Sequence, residues 1–206
     1  MNTLPRGLYV ITPDENDTDK LVIQIQAALA GGVAALQYRH KAASPSLKRT
    51  QAARLLPLCR AAGIPLIIND DLALALELGA DGVHLGGDDG DLGSARAQLG
   101  PHKLLGSSCY GSIERAIAAK AGGADHIAFG AMFPSFTKPH AKQASLALFA
   151  QADAQVGLPT VGIGGITLAN APQLIAAGAH AIAVISALFS APDITQRVRE
   201  FNQLFI

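Results

Sequence analysis

Residues 64–85 read IPLIINDDLALALELGADGVHL. The apolar run Ile64 to Asn69 has strand length and a Pro near its start. Leu72 to Leu78 spaces its apolar residues for a helix, and Gly79 stands where a helix C-cap prefers glycine. A second apolar run, ADGVHL, begins directly at Ala80. This strand–helix–strand joint is a βαβ element, which makes its two strands parallel neighbours.

The same alternation extends in both directions. Strand-length runs are GLYVIT (7–12), VAALQYR (33–39), IPLIIN (64–69), ADGVHL (80–85), KLLGSS (103–108), ADHIAFG (124–130), PTVGIG (159–164) and AHAIAVIS (179–186). Helical spacing is predicted for Leu21–Ala30, Leu47–Ala62, Leu72–Leu78, Ile113–Ala121 and Ala169–Ala177. Gly31, Gly63, Gly79, Gly122 and Gly178 are the expected C-caps. Eight βα units in 206 residues predict an α/β fold, a single (βα)8 TIM barrel occupying 1–206 as one catalytic domain. A doubly wound open sheet is the alternative; the count of eight and the lack of a linker favour the barrel.

Half of the residues are hydrophobic, enough to bury a sizeable core. Lys+Arg and Asp+Glu both number 16, so no global basic field exists to hold nucleic acid or an anionic membrane. Positive charge that meets an anionic ligand must therefore be local. Cys59 and Cys109 are too few for a disulfide scaffold and read as reduced thiols. The opening MNTLPRGLYVITPDEND meets acidic residues before any long apolar run, so neither a signal peptide nor a membrane span is expected. A soluble cytoplasmic protein is expected, with small molecules rather than nucleic acid or membrane as partners; a homo-oligomer is compatible with the sequence.

A TIM barrel places its chemistry at the C-terminal strand ends. Polar residues follow most of the predicted runs, and four groups stand out. In Gln37-Tyr38-Arg39-His40-Lys41, strand alternation stacks Gln37, Arg39 and Lys41 on one face. An amide, a guanidinium and an ammonium in that order suit a diphosphate; a solvated strand end is the plainer reading. Asn69-Asp70 and Asp89 end neighbouring strands, where two carboxylates suit Mg²⁺. Asp70 is more commonly read as the N-cap of the next helix, and Asp88-Asp89 as an acidic turn. The loop from Phe133 to Lys142 carries Ser135, Phe136, Thr137 and Lys138, which suit closure over a phosphorylated ligand or a plain surface loop. Gly164-Gly165 and Ile185-Ser186 end strands seven and eight, where barrels often bind phosphate. His84 is read as an interior histidine and Cys109 as packing.

Taken in order, LYVIT, LQYRHK, IINDDLALALELGADGVHLG, ADHIAFGAMFPSFTK, VGIGGIT and AIAVIS resemble the successive blocks of the thiamine phosphate synthases. The resemblance runs from about Leu8 to about Ser190. It implies a Mg²⁺-dependent transferase acting on two phosphorylated small molecules. It implies a pyrimidine diphosphate held by Gln37, Tyr38, Arg39, His40 and Lys41 with Asn69, Ser108 and Lys138. Arg39, Lys41 and Lys138 would stabilise the leaving group, and Asp70 and Asp89 would hold the metal. The thiazole phosphate would lie on Ser135, Phe136, Thr137, Gly165, Ile185 and Ser186. The chain departs from the family pattern at Gly87, Tyr110, Ala131 and Ala144, where Gln, His, Pro and Gly are usual. A thiazole tautomerase paralogue is the runner-up; the Asn69-Asp70 pair, and Ala131 where that family carries His, disfavour it. A non-catalytic phosphate binder is the third reading.

Overall fold

The computed structural model describes residues 3–87, 89–134 and 143–206. Within them, strands β1 (Gly7–Ile11), β2 (Ala35–Tyr38), β3 (Leu66–Asn69), β4 (Gly82–Leu85), β5 (Leu104–Tyr110), β6 (His126–Phe129), β7 (Thr160–Ile163) and β8 (Ala181–Val184) close into a barrel in chain order. Neighbours are parallel throughout, and β8 closes on β1 with Ala181 opposite Gly7 and Val184 opposite Val10. The helices are α1 (Thr18–Gly31), α2 (Pro45–Ala62), α3 (Leu72–Leu78), α4 (Leu92–Leu99), α5 (Ile113–Ala121), α6 (Ala147–Gln155), α7 (Ala171–Ala176), α8 (Ser186–Phe189) and α9 (Ile194–Asn202). Among the described residues no helix is long and apolar enough to cross a membrane.

Strand alternation sorts the buried residues into two cores. Leu8, Val10, Leu36, Leu66, Ile68, Val83 and Ile127 face outward and pack against the helices. Tyr9, Ile11, Ala35, Ile67, Ala128, Val161 and Ala183 form the barrel interior. Helix α1 shows the matching stripe: Leu21, Ile25 and Ala28, spaced four and three apart, are its buried residues. Truncating a fully buried leucine such as Leu21 to Ala costs about 2–5 kcal/mol in cores of this density.

The recurrent Ala-Asp before a strand has a structural cause. The Asp81 carboxylate accepts the Leu66 amide at 2.9 Å, and that of Asp125 accepts the Leu105 amide at 2.8 Å. Each aspartate thus receives an amide at the start of the neighbouring strand. Arg96 adds a part-buried ion pair to Asp125. Gly63 and Gly79 are left-handed caps as expected. Gly31 is not: Gly32 caps α1 with φ 90°, and Gly31 is the last helical residue. A Cβ on Gly31 would come within 2.4 Å of Val198, so its lack of a side chain admits α9.

Candidate active site

The end of β2 is fixed from β1. Thr12, fully buried, donates its hydroxyl to the Arg39 carbonyl at 2.7 Å and accepts the Arg39 amide at 2.8 Å. Asp14 then gathers the following residues. One carboxylate oxygen accepts the Lys41 amide at 3.1 Å and lies 3.5 Å from the Arg39 guanidinium and 3.7 Å from His40 Nδ1. Gln37 lies in the interior, its amide donating to the Tyr9 hydroxyl at 3.0 Å. Tyr38 points the other way, donating its hydroxyl to Gln51 of α2 at 2.8 Å. Gln37 and Tyr38 thus alternate as expected, with Tyr38's hydroxyl engaged on the helix side; β2 ends at Tyr38, so Arg39 lies beyond the strand and Lys41 in the turn that follows. Tyr38, His40, Lys41, Asn69 and Asp70 line a cavity of about 420 Å³ between the ends of β2 and β3.

Asp70 follows β3 in a left-handed conformation, φ 63°, with its amide on the His84 carbonyl at 2.8 Å. It is not the helix cap. Asp71 caps α3, accepting the Leu74 amide at 2.9 Å. The cap reading of Asp70 is thereby corrected: its carboxylate is left for other work. Burial, then a hydrogen bond with Asp89 and the charge of Asp89, push the Asp70 carboxyl above the usual range; Asn69 and Lys41 pull it back. Asp89 is oriented by the Gly86 amide, which donates to it at 2.9 Å. Two carboxylates thus crowd one point between β3 and β4, with an amide and an ammonium beside them. Ser108 of β5 shares a hydrogen bond of 2.9 Å with His84 Nε2.

Two of the departures form one unit. The Gly87 amide donates to the Tyr110 hydroxyl at 3.3 Å, and the Arg115 guanidinium lies over the Tyr110 ring, 5.1 Å from its centroid. A Cβ on Gly87 would come 2.3 Å from Arg115 Nη1, so Gly87 makes the room that Arg115 fills. Sequence reading did not single out Arg115; only the stacking partner reveals its position.

The end of β7 grips the segment beyond β6. The Met132 and Phe133 amides donate to the Ile163 and Gly164 carbonyls at 2.9 and 3.0 Å. Gly165, φ 67°, lies so close that a Cβ would meet the Pro134 and Phe133 carbonyl oxygens at 2.5 and 2.6 Å. Ser135, Phe136, Thr137 and Lys138 lie outside the described residues. Ile185 and Ser186 form the turn from β8 into α8, with Ile185 half-buried and Ser186 exposed. Cys109 is buried with its thiol pushed up to about 11, largely by burial, in keeping with packing rather than nucleophilic chemistry.

A closed parallel barrel with cations, paired carboxylates and a glycine turn at the C-terminal strand ends defines the class: a TIM-barrel enzyme of the kind that handles anionic small molecules. The thiamine monophosphate synthase family model matches residues 8–188, and the chain belongs to that family, a family of transferases. It is 58% identical over 200 residues to the thiamine-phosphate synthase of Methylobacillus flagellatus, covering 97% of this chain and 95% of that one. To the thiamine-phosphate synthase of Thiobacillus denitrificans it is 53% identical over 205 residues, covering 100% and 97%. A solved thiamine phosphate pyrophosphorylase from Pyrococcus furiosus superposes with a TM-score of 0.86 at 32% identity, covering 96% and 94%.

Proposed function

We propose that the chain condenses 4-amino-2-methyl-5-(diphosphooxymethyl)pyrimidine with 4-methyl-5-(2-phosphooxyethyl)thiazole to give thiamine phosphate and diphosphate. The observation that carries the reading is the crowded Asp70–Asp89 pair beside Lys41 and Asn69, set at one mouth with Arg39 and Ser108. A carboxyl that resists ionising because it is part-buried and a second carboxylate presses on it is the electrostatic complement of a divalent cation. Among the described residues no cluster of three or more His, Cys, Asp and Glu assembles, and Mg²⁺ is commonly held by only one or two carboxylates. Asp70 and Asp89 would hold Mg²⁺, which when bound supplies charge to balance a departing diphosphate.

The chain's own residues account for the rest. The methylene C–O bond breaks and diphosphate leaves with the electron pair, giving a pyrimidinylmethyl cation. The thiazole nitrogen then donates its lone pair to that carbon. Neither step requires a strong base. Arg39 and Lys41, with Lys138 from the loop, stabilise the leaving charge by preorganised contacts. Asp14 holds the Arg39 guanidinium and the Lys41 amide, so the cationic arm is already shaped before ligand arrives. The glycine turn at Gly164-Gly165, with Ile185 and Ser186, forms the cradle for the thiazole phosphate together with Ser135, Phe136 and Thr137.

The test is direct. The purified chain, both substrates and Mg²⁺ are expected to yield thiamine phosphate and one equivalent of diphosphate, and a chelator is expected to abolish the product. Full activity in the chelator would sink both the metal assignment and the mechanism. Isomerisation of a thiazole carboxylate phosphate without diphosphate release would point to the tautomerase paralogue instead.

A further inference from the structure

Two histidines meet inside the barrel beneath the candidate site. His84 of β4 and His126 of β6 are buried, with ring centroids 5.7 Å apart. His84 Nε2 is on Ser108, but its Nδ1 has no hydrogen-bond partner among the described residues, and neither nitrogen of His126 has one. Buried polar atoms of this kind are costly unless satisfied by protein or by ordered water. Gly106 of β5 lies between the rings. A Cβ there would sit 2.3 Å from His126 Nε2 and 2.4 Å from His84 Nδ1. Both nitrogens therefore converge over Gly106, closely enough that no side chain fits between them there. They lie less than ~5 Å apart, and a water making two hydrogen bonds of about 2.8 Å spans roughly 4.5 Å.

We propose that a buried water bridges His126 Nε2 and His84 Nδ1, and that His126 acts through it and through His84 as a positioning residue for the Ser108 hydroxyl. The proton directions follow. A ligand oxygen of a diphosphate is an acceptor, so Ser108 serves it only by donating. Ser108 Oγ must then accept from His84 Nε2–H, which leaves His84 Nδ1 as a lone pair. The water donates to that lone pair and accepts from His126 Nε2–H. His126 Nδ1 is left as a lone pair without a donor, a lesser cost than a buried N–H without an acceptor. Both rings are buried, which disfavours the imidazolium form and leaves one proton on each. The chain of donors ends with the Ser108 proton aimed outward.

The role rests on reading Ser108 as part of the pyrimidine diphosphate site, and two measurements keep the two ideas apart. Ring ¹⁵N chemical shifts of the labelled full chain report tautomers without any substrate. Both His84 and His126 are expected to be protonated at Nε2 and bare at Nδ1; the other tautomer at His84 overturns the network. Kinetics then tests the action on Ser108. His126→Phe is expected to raise KM for the pyrimidine diphosphate about tenfold, with KM for the thiazole phosphate unchanged. His126→Gln, which offers an N–H again, should recover most of that loss, and melting curves check that both variants fold. In a Ser108→Ala background His126→Phe should add nothing. A loss that persists in that background, or that falls equally on both substrates, overturns the positioning role. If Ser108→Ala alone spares the pyrimidine side, the site reading and the positioning role both fall, while the tautomers still judge the network.

Discussion

Two adjacent carboxylates, Asp70 and Asp71, can be separated by substitution because only one of them holds a helix end. Asp71 caps α3 through the Leu74 amide, so Asp71→Ala should cost about 1 kcal/mol of stability. Turnover at saturating Mg²⁺ should then change little. Asp70→Asn should do the reverse. Asn tolerates the left-handed conformation that Asp70 adopts, and removing one of two crowded charges relieves the fold. The melting midpoint should hold or rise, while the Mg²⁺ requirement rises and turnover at fixed Mg²⁺ falls by roughly tenfold or more. Urea melts and Mg²⁺ titrations of the two variants decide; matched melting losses with intact activity in both would remove Asp70 from the site. At this scale the sequence was legible where chemistry and strand period agreed. Gln37 and Tyr38 fall on opposite sides, as alternation requires. The cap was not legible, because Asp70 and Asp71 are the same residue type one position apart, and only backbone dihedrals tell them apart. His126 was not singled out either, although period two from interior Ala128 gives its direction.

Among the elements, the end of β7 grips the segment Met132 to Pro134 that follows β6. Gly165 and Gly157 both have φ 67°, but a Cβ on Gly165 strikes the carbonyls of Phe133 and Pro134, whereas one on Gly157 meets nothing within 4 Å. Their alanine variants therefore separate backbone strain from collision. Gly157→Ala should lose only the left-handed penalty, about 1 kcal/mol, with normal kinetics. Gly165→Ala should lose a further ~1–3 kcal/mol and raise KM for the thiazole phosphate, with the pyrimidine side little changed. Equal losses in the two variants, or a defect on the pyrimidine side alone, would contradict this use of the turn. Helices α2, α3 and α5 were legible because apolar spacing and a following glycine agree. Helices α4 and α9 were not. In α4 Gly93, Ser94 and Arg96 dilute the apolar spacing, and α9 is followed by Gln203 rather than by a capping glycine. Missing α9 also misplaced the cap at Gly31, since the reason for that glycine is Val198 from the far end of the chain.

At the scale of the whole molecule, zero net charge coexists with a cationic arm at one end of the barrel and two neutral histidines within it. Those histidines link stability to pH with a definite sign. Their ordinary value is 6.5, and burial lowers it to about 4 for His84 and about 3 for His126, with His84 and His180 also lowering His126. The unfolded chain takes up protons on both as pH falls through the ordinary value. The folded barrel takes them up only near the lowered values. Between those limits the unfolded state binds more protons, so folding free energy falls as pH falls and is regained as pH rises toward neutrality. Below the lowered values both states are protonated and this contribution stops changing. His126→Phe deletes one of the two protons taken up on unfolding while keeping an aromatic ring in the barrel floor. Its urea midpoint should therefore fall less between pH 7 and pH 5 than that of the parent chain, whatever its stability at pH 7. Parallel midpoint-versus-pH curves for the two chains would mean that His126 is protonated as readily inside the barrel as outside it. The interior would then be wet enough to solvate an imidazolium, and a single ordered water between the rings would no longer describe it.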